Sequence, residues 1–317
     1  MINFAAASAA QPLALILLAP LINGCVKKLK AVLQNRRGAS VLQPYWDILK
    51  SFRKEEAISE TTSWIFRAVP YAVFGATAAA CFLVPVAAAA APFGFAGDLI
   101  TLVYLLALPR FFTALGGLDA GSAFGGMGSS REVMIASMAE PALIMALFTV
   151  GVETGTTQID AAARILSQGG WTAFSPGAAL AFAALFLVLL AECGRLPVDN
   201  PATHLELTMV HEAMLLEYSG RSLALIEWAS MIKLTLFLTL LANLFLPWGI
   251  ALEAEAAPLA LGVLVYGVKI AALLAVLAVA ETSTAKLRLF RVPDFLGAAF
   301  VLALLGLLSQ GVLRLGL

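Results

Sequence analysis

Charge, histidine and cysteine are the scarce residues of this chain. Only 13% of its 317 residues are charged, against 61% that are hydrophobic. A soluble domain carries about 25% charge, so the solvent around most of this chain is lipid, as its mean hydropathy of +0.92 also says. Its 20 basic and 20 acidic residues cancel, which removes the electrostatic support for a nucleic-acid partner. The cysteines are three, Cys25, Cys81 and Cys193, without C-x-x-C spacing. Each lies in or beside an apolar stretch and reads as a small buried hydrophobe. With no cysteine set for an iron–sulfur cluster and no Gly-rich phosphate loop before a helix, the chain is expected to hold no redox cofactor. His204, Thr208 and His211 share a helical face, yet a metal needs more ligands at closer spacing. No metal site is expected there, and a pH-responsive hydrogen-bonding role suits the histidines better.

Internal repeats, low-complexity tracts and a separate soluble domain are missing too. What remains is a succession of apolar runs. A hydrocarbon core of about 30 Å needs roughly 20 mainly apolar residues per helix. Eight runs qualify: Phe4–Val26, Ala68–Ala91, Leu99–Leu118, Val133–Val152, Thr172–Ala191, Leu223–Leu246, Leu259–Ala280 and Phe295–Val312. The expected fold is an all-α integral membrane protein of about eight transmembrane helices, one membrane domain over residues 1–317. The Ala87–Ala91 run reads as the end of span two, and Pro109 beside Arg110 as a candidate interruption of span three. The first run lacks a basic segment before it, and Lys27, Lys28 and Lys30 follow it, which suits a retained span with its N-terminus outside.

Eight spans put both termini on one side and let the loops alternate. One set of loops collects sixteen Lys and Arg, with Arg110 and Arg131 among them; the other holds only Arg164 and Arg314. By the positive-inside rule the rich set is cytoplasmic and both termini are outside. The long loops 27–67, basic and amphipathic, and 192–222, acidic, then share the cytoplasmic face. Long ordered loops are where function concentrates.

Several ionisable residues fall inside the spans. Lys233 and Lys269 lie about 15 Å along spans six and seven at ~1.5 Å per residue, and Glu140 about 10 Å along span four. A charge near mid-bilayer costs at least ~2.5–3.5 kcal/mol, so it must face a partner or a wet cavity. Together these three read as parts of a proton relay. Glu192, Glu227 and Glu281 lie close to helix ends, where a structural ion pair or snorkelling is an equal explanation. Asp199, Glu206, Glu212 and Glu217 make loop 192–222 acidic. Thr203 with Glu206, and Ser129 with Glu132, have capping-box spacing and read as helix starts.

The loops carry the motifs Asn35-Arg-Arg-Gly38, Leu42-Gln-Pro-Tyr-Trp-Asp-Ile-Leu-Lys50, Gly117-Leu-Asp-Ala-Gly-Ser122, Gly128-Ser-Ser-Arg-Glu132, Ala191-Glu192, Arg195-x-Pro197-x-Asp199 and Glu217-Tyr-Ser-Gly220. In these motifs and their order they resemble the H-subunit family of respiratory complex I. More closely, they are similar to its counterpart in group 4 membrane-bound nickel–iron hydrogenases, the hydrogenase-4 component C and formate hydrogenlyase subunit 4 branch. Loop 27–67 is tighter than in the quinone-reducing branch. Of that branch's Glu-x-Glu-x-Glu pattern only Glu206 remains, with Ala202 and His204 at the earlier positions.

The resemblance implies a connector without a redox centre. Its cytoplasmic loops would dock hydrogenase-like large and small subunits, which carry the nickel–iron centre and iron–sulfur clusters, beside antiporter-like membrane subunits and lipid. Glu140, Glu192, Asp199, Glu206 and Glu217 match the family's carboxylates, to which the residue reading adds Glu212, Lys233, Lys269 and Glu281. Arg36, Arg37, Gln43, Asp47 and Lys50 would form the docking loop, although its basic and aromatic residues equally suit an interfacial helix on anionic lipid. Two other readings stay open: the quinone-site subunit of a NADH:quinone oxidoreductase, which needs a headgroup-sized chamber behind loop 27–67, and an independent transporter, which expects inverted repeats.

Overall fold

The computed structural model describes residues 4–170, 175–200, 209–252 and 255–315. Eight apolar helices form the bundle: α1 (Phe4–Leu33), α3 (Trp64–Cys81), α4 (Leu99–Asp119), α5 (Ala123–Thr154), α7 (Pro176–Glu192), α9 (Gly220–Leu240), α10 (Ala256–Ser283) and α11 (Val292–Leu315). Seven are long and apolar enough to cross a membrane, and α7 is a shorter apolar helix of 17 residues. The connections carry α2 (Gln43–Phe52), α6 (Ile159–Gly169) and α8 (His211–Leu215). Each expected span has its helix, because only a helix satisfies its backbone within one segment in lipid.

The centre of the bundle is α9, in which every side chain from Met231 to Phe245 is buried. Its last turn, Leu241–Phe245, widens to a π-helix. On one side α9 meets α1 and α3, while α11 closes the bundle against α5 and α7. Helix starts are set by short polar side chains. Ser175 accepts from the N–H of Ala178 at 3.0 Å, with Pro176 in the first turn. The Asp119 carboxylate, at the end of α4, accepts from Ser63 N, Ser63 Oγ and Phe66 N at 2.9, 2.7 and 3.1 Å and clips the start of α3 to it.

Three local expectations are corrected. Helix α5 starts ten residues before Val133: Ser122 is its cap, accepting from Gly125 N at 3.1 Å. Ser129 therefore sits inside the helix, where its hydroxyl donates to Ala114 O at 2.8 Å, and Glu132 is buried rather than a capping partner. Helix α4 runs through Pro109 without a break.

Thirdly, α3 stops at Cys81, so Ala87–Ala91 is not the end of a helix. It belongs to a buried non-helical stretch bridged at Ala88 to Ala251. Such a stretch survives at membrane depth only if its backbone groups find partners in the protein. Gln11 supplies them: its Oε1 accepts from the N–H groups of Val86, Ala87 and Ala88 at 2.9, 2.9 and 3.1 Å, and its Nε2 donates to Ala90 O at 3.0 Å.

At the opposite end, glycines let α8 lie against the helices. A Cβ on Gly128 would come 2.9 Å from Val210 O, and one on Gly117 would come 3.2 Å from the Met214 side chain. The segment entering α8 is thereby seated between α4 and α5.

Candidate functional site

The site forms where α7 ends. A carboxylate at a helix C-terminus faces the negative end of the helix dipole, and Glu192 closes α7 with only 6% of its surface exposed. Two cations from neighbouring helices compensate. Arg110 Nη1 of α4 lies 2.6 Å from Glu192 Oε1, and Lys233 Nζ of α9 lies 2.8 Å from Glu192 Oε2. The guanidinium reaches on with Nη2 to Glu140 Oε1 of α5, at 2.8 Å. Four helices thus contribute one chain of charge, Lys233–Glu192–Arg110–Glu140. Glu192, expected at a helix end where an ion pair is an equal explanation, is buried there and paired with Lys233 from within α9.

Both Arg110 and Lys233 are buried, whereas the Glu140 side chain is 40% exposed. It lines an apolar groove between α4 and α5, beside Tyr104 and Phe111. Glu132 lies two turns before Glu140 on α5. It borders both this groove and a small cavity of about 30 Å³ shared with Arg110, Glu192 and Lys233, room for about one water. With all groups ionised, the three carboxylates and two cations leave one negative charge in excess, a balance that one added proton neutralises.

Cys193, His211 and Ser230 border this cavity and also a polar one of about 330 Å³ that lies behind α2. Its walls carry Lys27, Asp47, Lys50 and Lys54 from one side and Asp199, Glu212 and Glu227 from the other. The order from loop face inward is therefore a wide charged vestibule, a water-sized gap, the ion-paired cluster, and Glu140 at the groove. Burial pushes the Cys193 thiol up to about 12, against the opposing pull of Lys233 and Arg195, so it lines the two cavities as a neutral group.

The other expected site residues are dispersed around it. Asp199 and Glu281 are structural ties next to the passage. Asp199 accepts from Lys286 Nζ at 2.7 Å and from His211 N at 3.2 Å. Glu281 pairs with Lys30 and, at 3.3 Å, with Arg195 Nη1, while Arg195 Nη2 donates to Asn23 at 2.7 Å. Glu212 is on the vestibule wall, but half-buried Glu217 is not. Lys269 is buried away from the cluster and has no ion pair among the described residues. Glu206, with Thr203, His204 and Thr208, lies outside the described residues. Of the docking-loop residues, Arg36 and Arg37 are exposed. Gln43 donates to Asp47 at 2.8 Å, and Asp47 and Lys50 turn toward the vestibule. The aromatic face of α2 is turned outward at Trp46, which is 61% exposed.

Arg110 and Glu132 are the residues that sequence reasoning assigns elsewhere, to a loop and to a cap. The signal is there for Arg110, which stands within the apolar run Leu99–Leu118. No group of three or more His, Cys, Asp or Glu able to hold a metal occurs among the described residues.

Comparison with known proteins places this geometry. Residues 7–310 match the family model described as NADH dehydrogenase. The chain is 35% identical over 297 residues to hydrogenase-4 component C of Escherichia coli K12, covering 93% of this chain and 92% of that one. It is 34% identical to formate hydrogenlyase subunit 4 of the same organism, covering 94% and 96%. The H-subunit of NADH-quinone oxidoreductase from Rubrobacter xylanophilus is 30% identical over 232 residues, 69% of this chain and 68% of that one. A solved chain from an archaeal membrane-bound sulfane sulfur reductase, described as a respiratory membrane complex, shares the fold with a TM-score of 0.81 at 22% identity, covering 96% of this chain and 99% of that one.

Proposed function

Because the chain belongs to the NADH dehydrogenase family, as a membrane subunit of the complex I-like type close to hydrogenase-4 component C and formate hydrogenlyase subunit 4, we propose that it connects a soluble redox arm to ion translocation. The observation that carries this reading is the run of charge from the vestibule through Glu192, Arg110 and Lys233 to Glu140. Electron transfer in the docked arm alters the protonation of the vestibule groups. The Glu192 carboxylate then takes or gives a proton, and Arg110, bound to both Glu192 and Glu140, redistributes between them. Two carboxylates, one buried and one half-exposed, held by a shared cation are suited to this, because neutralising one strengthens the claim of the other on the guanidinium.

The vestibule-bearing side is the cytoplasmic face of the cell inner membrane, since loop cations concentrate there even after Arg110 is reassigned to the bundle. Arg36, Arg37 and the outward face of α2 are the docking surface. The partners are hydrogenase-like large and small subunits, which hold the nickel–iron centre and iron–sulfur clusters, and antiporter-like membrane subunits that extend the ion path. The translocated ion is H⁺ or Na⁺.

The quinone-site reading has one observation in its favour: the cavity of about 330 Å³ behind α2 is large enough for a headgroup. Ligand sites for apolar rings are lined mainly by apolar and aromatic side chains. This lining is dominated by Lys, Asp and Glu, which favours water and protons. The deciding experiment is the assembled complex in proteoliposomes carrying Glu192→Gln or Glu140→Gln. Redox turnover is expected to persist while ion translocation is lost. Failure of both variants to assemble would reduce the two residues to structural ion pairs.

A further inference from the structure

Four observations in the half of the bundle away from the vestibule are unexplained by the cluster. Thr235, Thr239 and Asn243 recur every fourth residue, so they share one face of α9, and they are 0%, 0% and 1% exposed in its most apolar stretch. Thr239 donates to Thr235 O at 2.7 Å, so its 2.8 Å contact with Tyr266 of α10 must use the tyrosine proton. That leaves the lone pairs of Tyr266 open. Lys269 follows Tyr266 by three residues, on the same face of α10. A short connection makes α10 antiparallel to α9, so Lys269 lies on the cluster's side of Tyr266. Finally, the π-turn presents Asn243, whose Nδ2 donates to Pro85 O and Val86 O at 2.8 Å each, while its buried Oδ1 has no partner among the described residues.

A purely structural account covers the threonines, since each donates to its own helix. It does not cover a buried ammonium without an ion pair, a tyrosine oxygen with open lone pairs, and a buried amide oxygen without a donor. All three call for water, and they stand in series beside a non-helical backbone stretch, a feature tolerated in membranes where it is enclosed by protein or lines water. Widened π-turns also concentrate at functional sites.

We infer that the chain carries a second polar route, running from Lys269 past Tyr266 and Thr239 to Asn243, by which the translocated proton exchanges with the face opposite the vestibule. The route rests on the translocation reading above and supplies its far half. The step is a proton hop: an N–H bond of the Lys269 ammonium breaks as an O–H bond forms on a water held by Tyr266. The neutral amine remains, and no electron moves.

The test is the number of protons moved per electron pair by the assembled complex in proteoliposomes, with redox turnover measured in the same vesicles. Tyr266→Phe removes one oxygen and keeps the ring, and Lys269→Met removes the titrating group. Each is expected to lower that ratio at least about twofold while turnover persists. A normal ratio in Tyr266→Phe overturns the route whatever Lys269→Met does. If Glu192→Gln is uncoupled and Tyr266→Phe is normal, only this route falls; if Glu192→Gln also pumps normally, the translocation reading falls first.

Discussion

Around Lys233, α9 is tied to its neighbours by charge; around Thr239, less than two turns further on, it is tied by uncharged hydroxyls and amides. Lys233 and Thr239 themselves are both buried, so the difference along α9 is not one of exposure. An ion-paired carboxylate changes its partners when one proton arrives, because its binding energy is mostly electrostatic. A hydroxyl or amide bonded to backbone keeps its geometry across any accessible pH. On the proposed translocation role, charge stands where the state must change and neutral dipoles where the scaffold must hold, with Lys269 as the exception on the neutral side.

The comparison breaks most visibly at Arg110. Arg110→Leu breaks the buried pair with Glu192, which keeps Lys233 alone, and frees the half-exposed Glu140; it is expected to cost about 3 kcal/mol, the lower end for removing one partner of a buried pair. Thermal unfolding of the detergent-solubilised protein measures it, and an unchanged midpoint would mean that the cluster is neutral in the resting state. Gln11→Leu tests the uncharged end, where three N–H groups lose one acceptor. A loss of about 1–3 kcal/mol is expected for leaving buried donors unmet, and a loss as large as that of Arg110→Leu would erase the distinction between the two regions.

Lys286→Met removes the partner of Asp199, but the lysine is partly exposed. Solvent screening then limits the loss to about 1 kcal/mol, and a larger loss would promote Asp199 from a tie to a member of the cluster. Arg36→Ala is expected to stay within about 0.5 kcal/mol of the parent in stability while weakening capture of the soluble arm as salt rises. Unaltered salt dependence would remove Arg36 from the docking surface. The smallest signal is expected from Cys193. With its thiol pushed up to about 12, it stays protonated at pH 8 and gains thiolate only as pH climbs toward that value. Rapid alkylation of Cys193 at pH 8 would show that the passage is wetter and more cationic than its geometry says.

Much of this architecture is legible in the sequence. Eight apolar runs become eight helices because lipid leaves the backbone no other option. The errors are instructive because each lies where tertiary partners, not propensity, decide. The Ala87–Ala91 run has the composition of a helix end, and partners remote in sequence, Gln11, Asp160, Arg164 and Ala251, hold it non-helical. Ser129 with Glu132 has the spacing of a cap, yet Ser122 starts the helix first. Arg110 falls among the loop cations although it lies inside an apolar run, since a count of loop charge does not ask what an arginine can reach. The carboxylates Glu140 and Glu192 are visible singly. Their common cation is not, because three helices must pack before the residues meet.

The tie between Gln11 and residues 86–88 has a consequence for how the chain enters the bilayer. Those three N–H groups lie downstream of α3 and their acceptor lies in α1. Left without it in hydrocarbon they would be unmet buried donors. Residues 86–88 are therefore expected to settle at membrane depth only once α1 lies beside them, so that α1 and α3 pack as a pair. The opening third of the chain would then behave as a single unit of assembly, and Gln11→Leu is expected to act on membrane insertion more than on later steps.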